Sequence, residues 1–229
     1  MKNLLLPVVF TLLFTSAINA QPCLPDGITF TSQSQIDSFP VNYSECNIIE
    51  GDVTIQEDIG SDIISLDSLY PITNIEGNLQ IGMSQSFSQP GGNDSLLNLS
   101  GLQDLTSIGG DLEIIGNVSL SSLNGLERIK SIAGSLRIGS YLLDMYGEYH
   151  VLTGNPSLTN LSGLDSLTSV GGDLEIIGND SLTSLNGLGS LKSIGGNLRI
   201  GSSYFDGTIV FLGNSSLTSL SGLDNLTSI

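Results

Sequence analysis

Two carboxylate pairs, Asp111 with Glu113 and Asp173 with Glu175, have the residue types that acid–base hydrolysis of a glycoside requires. Both sit in the same hexapeptide, GGDLEI, at 109–114 and again at 171–176. A catalytic pair has no reason to recur with a repeat. In the sister phrases AGSLRI and GGNLRI, moreover, the place of the glutamate is taken by Arg137 and Arg199. An arginine neighbour favours an ionised carboxylate, whereas a general acid must hold its proton. The pairs therefore read as structural, and no catalytic residue is assigned. Three other acids, Asp144, Glu148 and Asp206, stand in irregular segments without a matching base constellation, so a carbohydrate-active enzyme of the β-helix type is only a minor alternative.

The aromatic residues are distributed very unevenly. Phe87, Tyr141, Tyr146, Tyr149, Tyr204, Phe205 and Phe211 fall in three short stretches of a chain otherwise dominated by Leu, Ser, Gly, Ile and Asn. Tyrosine-rich loops on a rigid scaffold suit recognition of protein or sugar surfaces. The same residues could instead pack on one another as a satellite core without a ligand. His150, the only histidine, is counted with them as a candidate ligand-binding residue of the inserts; as a metal ligand or catalytic group it is weak, a solvent-facing or loop-packing role being the ordinary one, and no metal site and no cofactor are assigned.

These segments interrupt a repeat. EGDVTI (from Glu50), EGNLQI (Glu76), GGDLEI (Gly109), AGSLRI (Ala133), GGDLEI (Gly171) and GGNLRI (Gly195) are six versions of one phrase, and self-similarity at such periods marks a solenoid or array. Within each phrase the L-x-I piece alternates inward and outward as a strand does. Glycine before the strand and Gly-Asn after it provide corners, since both residue types tolerate positive φ. The remaining apolar residues of the unit 109–132 look too irregularly spaced for a long helix. Asn117, Asn179 and Asn214 follow the strand and are placed to stack as an internal amide ladder. Between the inward strand positions the residues run Thr54, Gln80, Glu113, Arg137, Glu175, Arg199, an outer column whose last four members alternate in charge and fix register.

The strand starts at 53, 79, 112, 136, 174 and 198 are 26, 33, 24, 38 and 24 residues apart. The fold class expected is mainly β: a right-handed parallel β-solenoid with alternating short (about 24) and long (33–38) coils and little helix. The additional residues of the long coils fall each time just after the strand, so the inserts leave the solenoid on one edge, at alternate coils, about 10 Å apart. Insertions on one face of a solenoid are often its binding face.

Residues 1–20 have Lys2, an apolar run from Leu4 to Phe14 and small or polar residues ending at Ala20, the layout of a secretory signal peptide. Cys23 and Cys46, the only cysteines, read in an exported chain as a disulfide worth roughly 3 kcal/mol in the chain-entropy model, with a free thiol or a metal pair as alternatives. The formal net charge of −17 repels phosphate backbones and argues against nucleic acid and anionic lipid as partners. Such acidity keeps an exported protein soluble; a dedicated calcium-binding role is the other reading. Eight Asn-x-Ser/Thr sequons, at Asn42, Asn93, Asn98, Asn117, Asn160, Asn179, Asn214 and Asn225, largely belong to the repeat itself.

The opening CLPDGITFTSQSQIDSFPVNYSECNIIEGDVTI, followed by units such as LTSIGGDLEI and SLTSLNGL, resembles the receptor L-domain-like repeat proteins exported by Bacteroidetes-type bacteria. These are distant relatives of the ligand-binding L domains of the insulin and epidermal growth factor receptors. The resemblance implies a leucine-rich-repeat-like solenoid, with 21–50 as an N-terminal cap and 51–229 as repeats; the chain departs from the family's pattern by stopping within a repeat, as a fragment or truncated gene model would. It implies no activity. The expected function is that of a non-catalytic recognition or adhesion module, secreted or at the cell surface, presenting an aromatic insert edge to an extracellular glycan or protein. A structural spacer or surface-layer repeat is the alternative, and no membrane-spanning segment beyond the signal peptide is expected.

Overall fold

The structure, a computed structural model, describes residues 21–83, 92–143, 150–152, 154–205 and 209–229. The expected signal segment lies outside them. The chain opens with β1 (Gln21–Cys23), β2 (Ile28–Phe30), helix α1 (Gln33–Asn42), β3 (Cys46–Ile49) and β4 (Val53–Ile55). It continues through β5 (Asn74–Ile75), β6 (Leu79–Gly82), β7 (Ser107–Ile108), β8 (Leu112–Ile115), β9 (Ser131–Ile132) and β10 (Leu136–Ile138). After these come β11 (Tyr141–Leu143), β12 (His150–Leu152), β13 (Ser169–Val170), β14 (Leu174–Ile176), β15 (Ser193–Ile194), β16 (Leu198–Ile200), β17 (Ser202–Phe205) and β18 (Ile209–Leu212).

Two seven-stranded parallel sheets result, one ordered β1-β3-β5-β7-β9-β13-β15 and the other β2-β4-β6-β8-β10-β14-β16. The protein is thus mainly β, a parallel solenoid-like stack in which each coil contributes one short strand to each sheet. The L-x-I strands form the second sheet in the register the repeat implies, Leu112 against Leu136 and Leu136 against Leu174. The first sheet comes from the triplet before each glycine pair. Its strands are only two residues long from β5 onward, and threonine hydroxyls extend the pairing. Thr73 Oγ1 donates to Asn47 O at 3.0 Å, Thr106 to Thr73 O at 3.1 Å and Thr168 to Lys130 O at 2.8 Å.

The corners differ from the sequence expectation. The glycines after the second-sheet strands, such as Gly116 (φ 73°) and Gly178 (φ 72°), do adopt positive φ, and the asparagines that follow do not. The glycines before the strand have ordinary φ; they are needed because a Cβ there would strike the backbone of the coil below, as at Gly109 against the Glu76 carbonyl.

Beyond the corner, Leu120, Leu123, Leu126 and Ile129 are fully buried at a spacing of three, as are Leu158, Leu161, Leu164, Leu167 and Leu182, Leu185, Leu188, Leu191. Successive turns explain it: Leu120 N–H bonds to Asn117 O, Leu126 N–H to Leu123 O and Ile129 N–H to Leu126 O, so every third residue returns to the core. The spacing that looked irregular is a period of three joined to the period of two of the strand.

Helix α1 closes the N-terminal end of the core with Ile36 and Phe39, and Phe39 meets Phe30 edge-on at a ring separation of 5.7 Å. A disulfide joins Cys23 on β1 to Cys46 on β3, with Cα atoms 5.6 Å apart. Among the described residues no helix is long and apolar enough to cross a membrane.

Candidate functional site

The inserts enter at one recurring corner. In a short coil the strand runs directly into Ile115-Gly116-Asn117; in the preceding long coil Gly82 takes the rung position of Ile115, and the sequence returns at Gly92-Asn93. The next long coil repeats the arrangement. A Cβ on Gly139 would strike the Ile177 carbonyl and one on Gly154 the Gly178 carbonyl, so these glycines occupy adjacent positions on the next coil although fourteen residues separate them. Glycine is required at both ends of the insert because the neighbouring rung leaves no room for a side chain. Sheet pairing continues through the root, with Gly139 N–H to Ile114 O at 2.8 Å and Gly201 N–H to Ile176 O at 2.8 Å.

Two inserts are antiparallel hairpins. Tyr141 on β11 stands opposite Leu152 of β12, and Leu143 opposite His150. In the other, Tyr204 of β17 faces Val210 of β18, Ser203 faces Phe211 and Phe205 faces Ile209. Residues 84–91, 144–149, 153 and 206–208 lie outside the described residues, and with them Phe87, Tyr146, Tyr149, Asp144, Glu148 and Asp206. Because β10 and β16 flank β14 in the sheet, and β6 and β10 flank β8, insert roots stand two strand spacings apart. That separation is about 10 Å.

Under this edge runs a continuous buried amide ladder. Asn93 Nδ2 donates to Asn117 Oδ1 at 2.9 Å, Asn117 to Asn155 at 3.1 Å, Asn155 to Asn179 at 3.1 Å and Asn179 to Asn214 at 3.2 Å. Each oxygen also accepts the backbone N–H of the preceding asparagine, as Asn155 Oδ1 does from Asn117 N at 3.2 Å. Each second amide hydrogen goes to a strand carbonyl, for example from Asn155 to Ile114 O at 2.9 Å. Asn93 and Asn155 extend the ladder beyond the three asparagines read from the sequence. Like Asn214, each lies beyond an insert and directly follows a glycine, so the Gly-Asn dipeptide was the available signal. Burial of Asn117 and Asn179 also makes them poor glycan acceptors.

The outer face of the second sheet carries two columns. In one, Arg137 binds Glu113 through Nη1 and Glu175 through Nε at 2.9 Å, and Arg199 Nη1 reaches Glu175 at 3.1 Å. Burial of the Arg137 guanidinium acts to lower its pKa, but the hydrogen bond to Glu175 and the charges of Glu113, Glu175 and Asp111 outweigh this and hold it above the ordinary arginine value. The second column was not foreseen. The side-chain oxygens of Asp52, Asn78 and Asp111 each accept the backbone N–H of the next member, Asn78, Asp111 and Ser135, at 2.7 Å. Ser135 Oγ accepts from Asp173 N at 3.1 Å, and Asp173 Oδ1 from Asn197 N at 2.7 Å. Acids alternate with neutral residues, which keeps like charges two rungs apart. A shallow depression of about 150 Å³ opens beside the columns, bordered by Thr54, Asn78, Gln80, Asp111 and Glu113.

Asp111, Glu113, Asp173 and Glu175 are therefore each engaged by a backbone amide or an arginine. Among the described residues no group of three or more His, Cys, Asp or Glu side chains is gathered to hold a metal ion. Comparison with protein-family models, with curated proteins and with solved structures finds no match.

Proposed function

We propose that the chain is a non-catalytic, exported recognition or adhesion module whose insert edge meets a glycan or protein surface. The observation that carries this reading is the recurrence of the splice: inserts rise at alternate coils from one corner of a scaffold held by an amide ladder. A rigid scaffold with variable loops on one edge is the usual arrangement of a recognition surface. The resemblance to receptor L-domain-like repeat proteins supports it, and with it a right-handed coil, a cleaved signal peptide at 1–20 and a secreted or surface location, with which the Cys23–Cys46 disulfide is compatible.

A spacer without a ligand is the second reading. It draws support from the apolar residues at opposite positions of both hairpins, which suit mutual packing as well as exposure. A glycan array and a pull-down from secreted and surface material, run on the parent and on a variant with Tyr146, Tyr149, Tyr204 and Phe205 changed to Ala, separate the two. Recognition predicts binding that the variant loses; binding that is absent, or indifferent to those changes, leaves the spacer.

A further inference from the structure

We propose that Asn186-Gly187 is a site of self-modification, at which intramolecular attack removes the asparagine amide and leaves aspartate and isoaspartate, and that the sister site Asn124-Gly125 is protected from this by Glu127.

The sequence contains two Asn-Gly dipeptides, and both stand at the same corner of the coil. Gly125, Gly163, Gly187 and Gly222 turn that corner with φ of 116°, 111°, 110° and 110°. The carbonyl before the glycine bonds to the neighbouring coil, Asn124 O accepting from Leu99 N at 2.9 Å and Asn186 O from Leu161 N at 3.0 Å. Backbone geometry is thus shared, and what differs is the residue two positions on. Gly125 N–H donates to Glu127 Oε2 at 2.9 Å, Gly163 N–H to Asp165 Oδ2 at 3.0 Å and Gly222 N–H to Asp224 Oδ2 at 3.1 Å. At the fourth corner the place of the acid is taken by Gly189. A Cβ on Gly189 would meet no atom within 4 Å, so the space an acid fills elsewhere is open to solvent beside the Gly187 N–H.

The reaction begins when hydroxide takes the proton from the glycine amide nitrogen. That nitrogen attacks Cγ of the asparagine; the N–Cγ bond forms, the Cγ–Nδ2 bond breaks, and Nδ2 leaves with a proton from water as ammonia, giving a cyclic imide. Water then opens the ring at either carbonyl. Opening at Cγ leaves an ordinary aspartate, and opening at the backbone carbonyl leaves isoaspartate, whose chain runs on through Cβ and Cγ. Glycine has no Cβ to shield its nitrogen, which is already tethered beside its target. A carboxylate bonded to the N–H holds the proton and sets a negative charge against the forming amide anion. Glu127 therefore guards Gly125, and the corner at Gly187 lacks this guard. Asn186 is exposed, and among the described hydrogen bonds its side-chain amide has one contact, Ser221 Oγ at 3.5 Å from Oδ1, too long to fix its rotamer. Isoaspartate carries an additional methylene into the backbone where the Asn186 carbonyl joins the neighbouring coil, so conversion loosens the rung to Leu161.

The full chain, folded and in parallel unfolded in urea, is incubated at mildly alkaline pH. Peptides spanning the two sites are followed by mass and by isoaspartyl methyltransferase labelling, each folded rate being referred to the rate of the same site in urea. In the folded chain Asn186 should convert about tenfold faster than Asn124, the order expected when a hydrogen bond to a charged group must first be broken. Glu127→Ala should raise the Asn124 rate to that of Asn186. Gly189→Asp, which enters open space, should lower the Asn186 rate to that of Asn124 while leaving circular dichroism and the urea midpoint unchanged. Equal rates at the two sites of the folded parent, no conversion at Asn186 while the unfolded chain converts, or indifference to both substitutions overturns the proposal.

Discussion

Asn155 satisfies four groups at once. Its Oδ1 accepts from the backbone and the side chain of Asn117, and its Nδ2 donates to Asn179 Oδ1 and to Ile114 O. All of these lie in a fully buried column, so removing the amide strands donors and acceptors where water cannot replace it. Asn155→Ala should therefore cost about 3 kcal/mol or more, read from urea unfolding. Asn160 offers a comparison of the same residue type five positions on: its Oδ1 accepts only Ser162 N in a surface turn, and Asn160→Ala should cost under about 1 kcal/mol. Similar losses for the two would mean that the ladder contributes no more than an ordinary turn. The Arg137 column behaves differently. Its raised pKa stabilises the fold at every pH below the unfolded arginine value, and that contribution is lost only as pH rises through the still higher folded value. It gives the protein no pH dependence near neutrality.

At the level of elements, the second-sheet strands were legible because strand and repeat phrase coincide: L-x-I sets two inward residues and one outward, and the outward position pairs across rungs as counted. The first sheet was hidden. Two residues are too few to show alternation, and its strength lies partly in threonine hydroxyls and in coil-to-coil amides that no local pattern reports. The leucines at a spacing of three point to no regular element, because a chain of turns fits neither strand nor helix period. Insert boundaries, by contrast, follow from the splice. Deleting residues 140–153 leaves Leu136-Arg137-Ile138-Gly139-Gly154-Asn155, the same length as Leu112-Glu113-Ile114-Ile115-Gly116-Asn117 of a natural short coil. The shortened chain should keep the parent's circular dichroism and cooperative unfolding, with stability changed by about 1 kcal/mol or less. Collapse of the unfolding transition on this deletion would show the hairpin to be part of the scaffold instead of a graft on it.

The whole molecule carries 23 acidic against six basic residues, and the described ion pairs use only three of the acids, Asp104, Glu113 and Glu175. Added salt acts on this arrangement in two opposed ways. It weakens the attraction within the pairs, of which Arg128–Asp104 is largely exposed and contributes little, while those of Arg137 are partly buried and therefore less screened. It also weakens repulsion among the remaining carboxylates, which is spread over the surface and falls as the screening length shortens to about 8 Å near 0.15 M. Alternation in the outer columns keeps neighbouring acids apart locally but leaves their sum intact, and at a net charge of −17 the repulsive sum outweighs a few pairs. Raising sodium chloride from a few millimolar should accordingly move the urea midpoint at pH 7 upward, with most of the gain complete by about 0.15 M. Chloride is the anion to use, since sulfate stabilises folded chains by exclusion from their surface whatever their charge. A midpoint that stays flat or falls would place the balance with the ladders, making attraction along the columns stronger than repulsion across the surface.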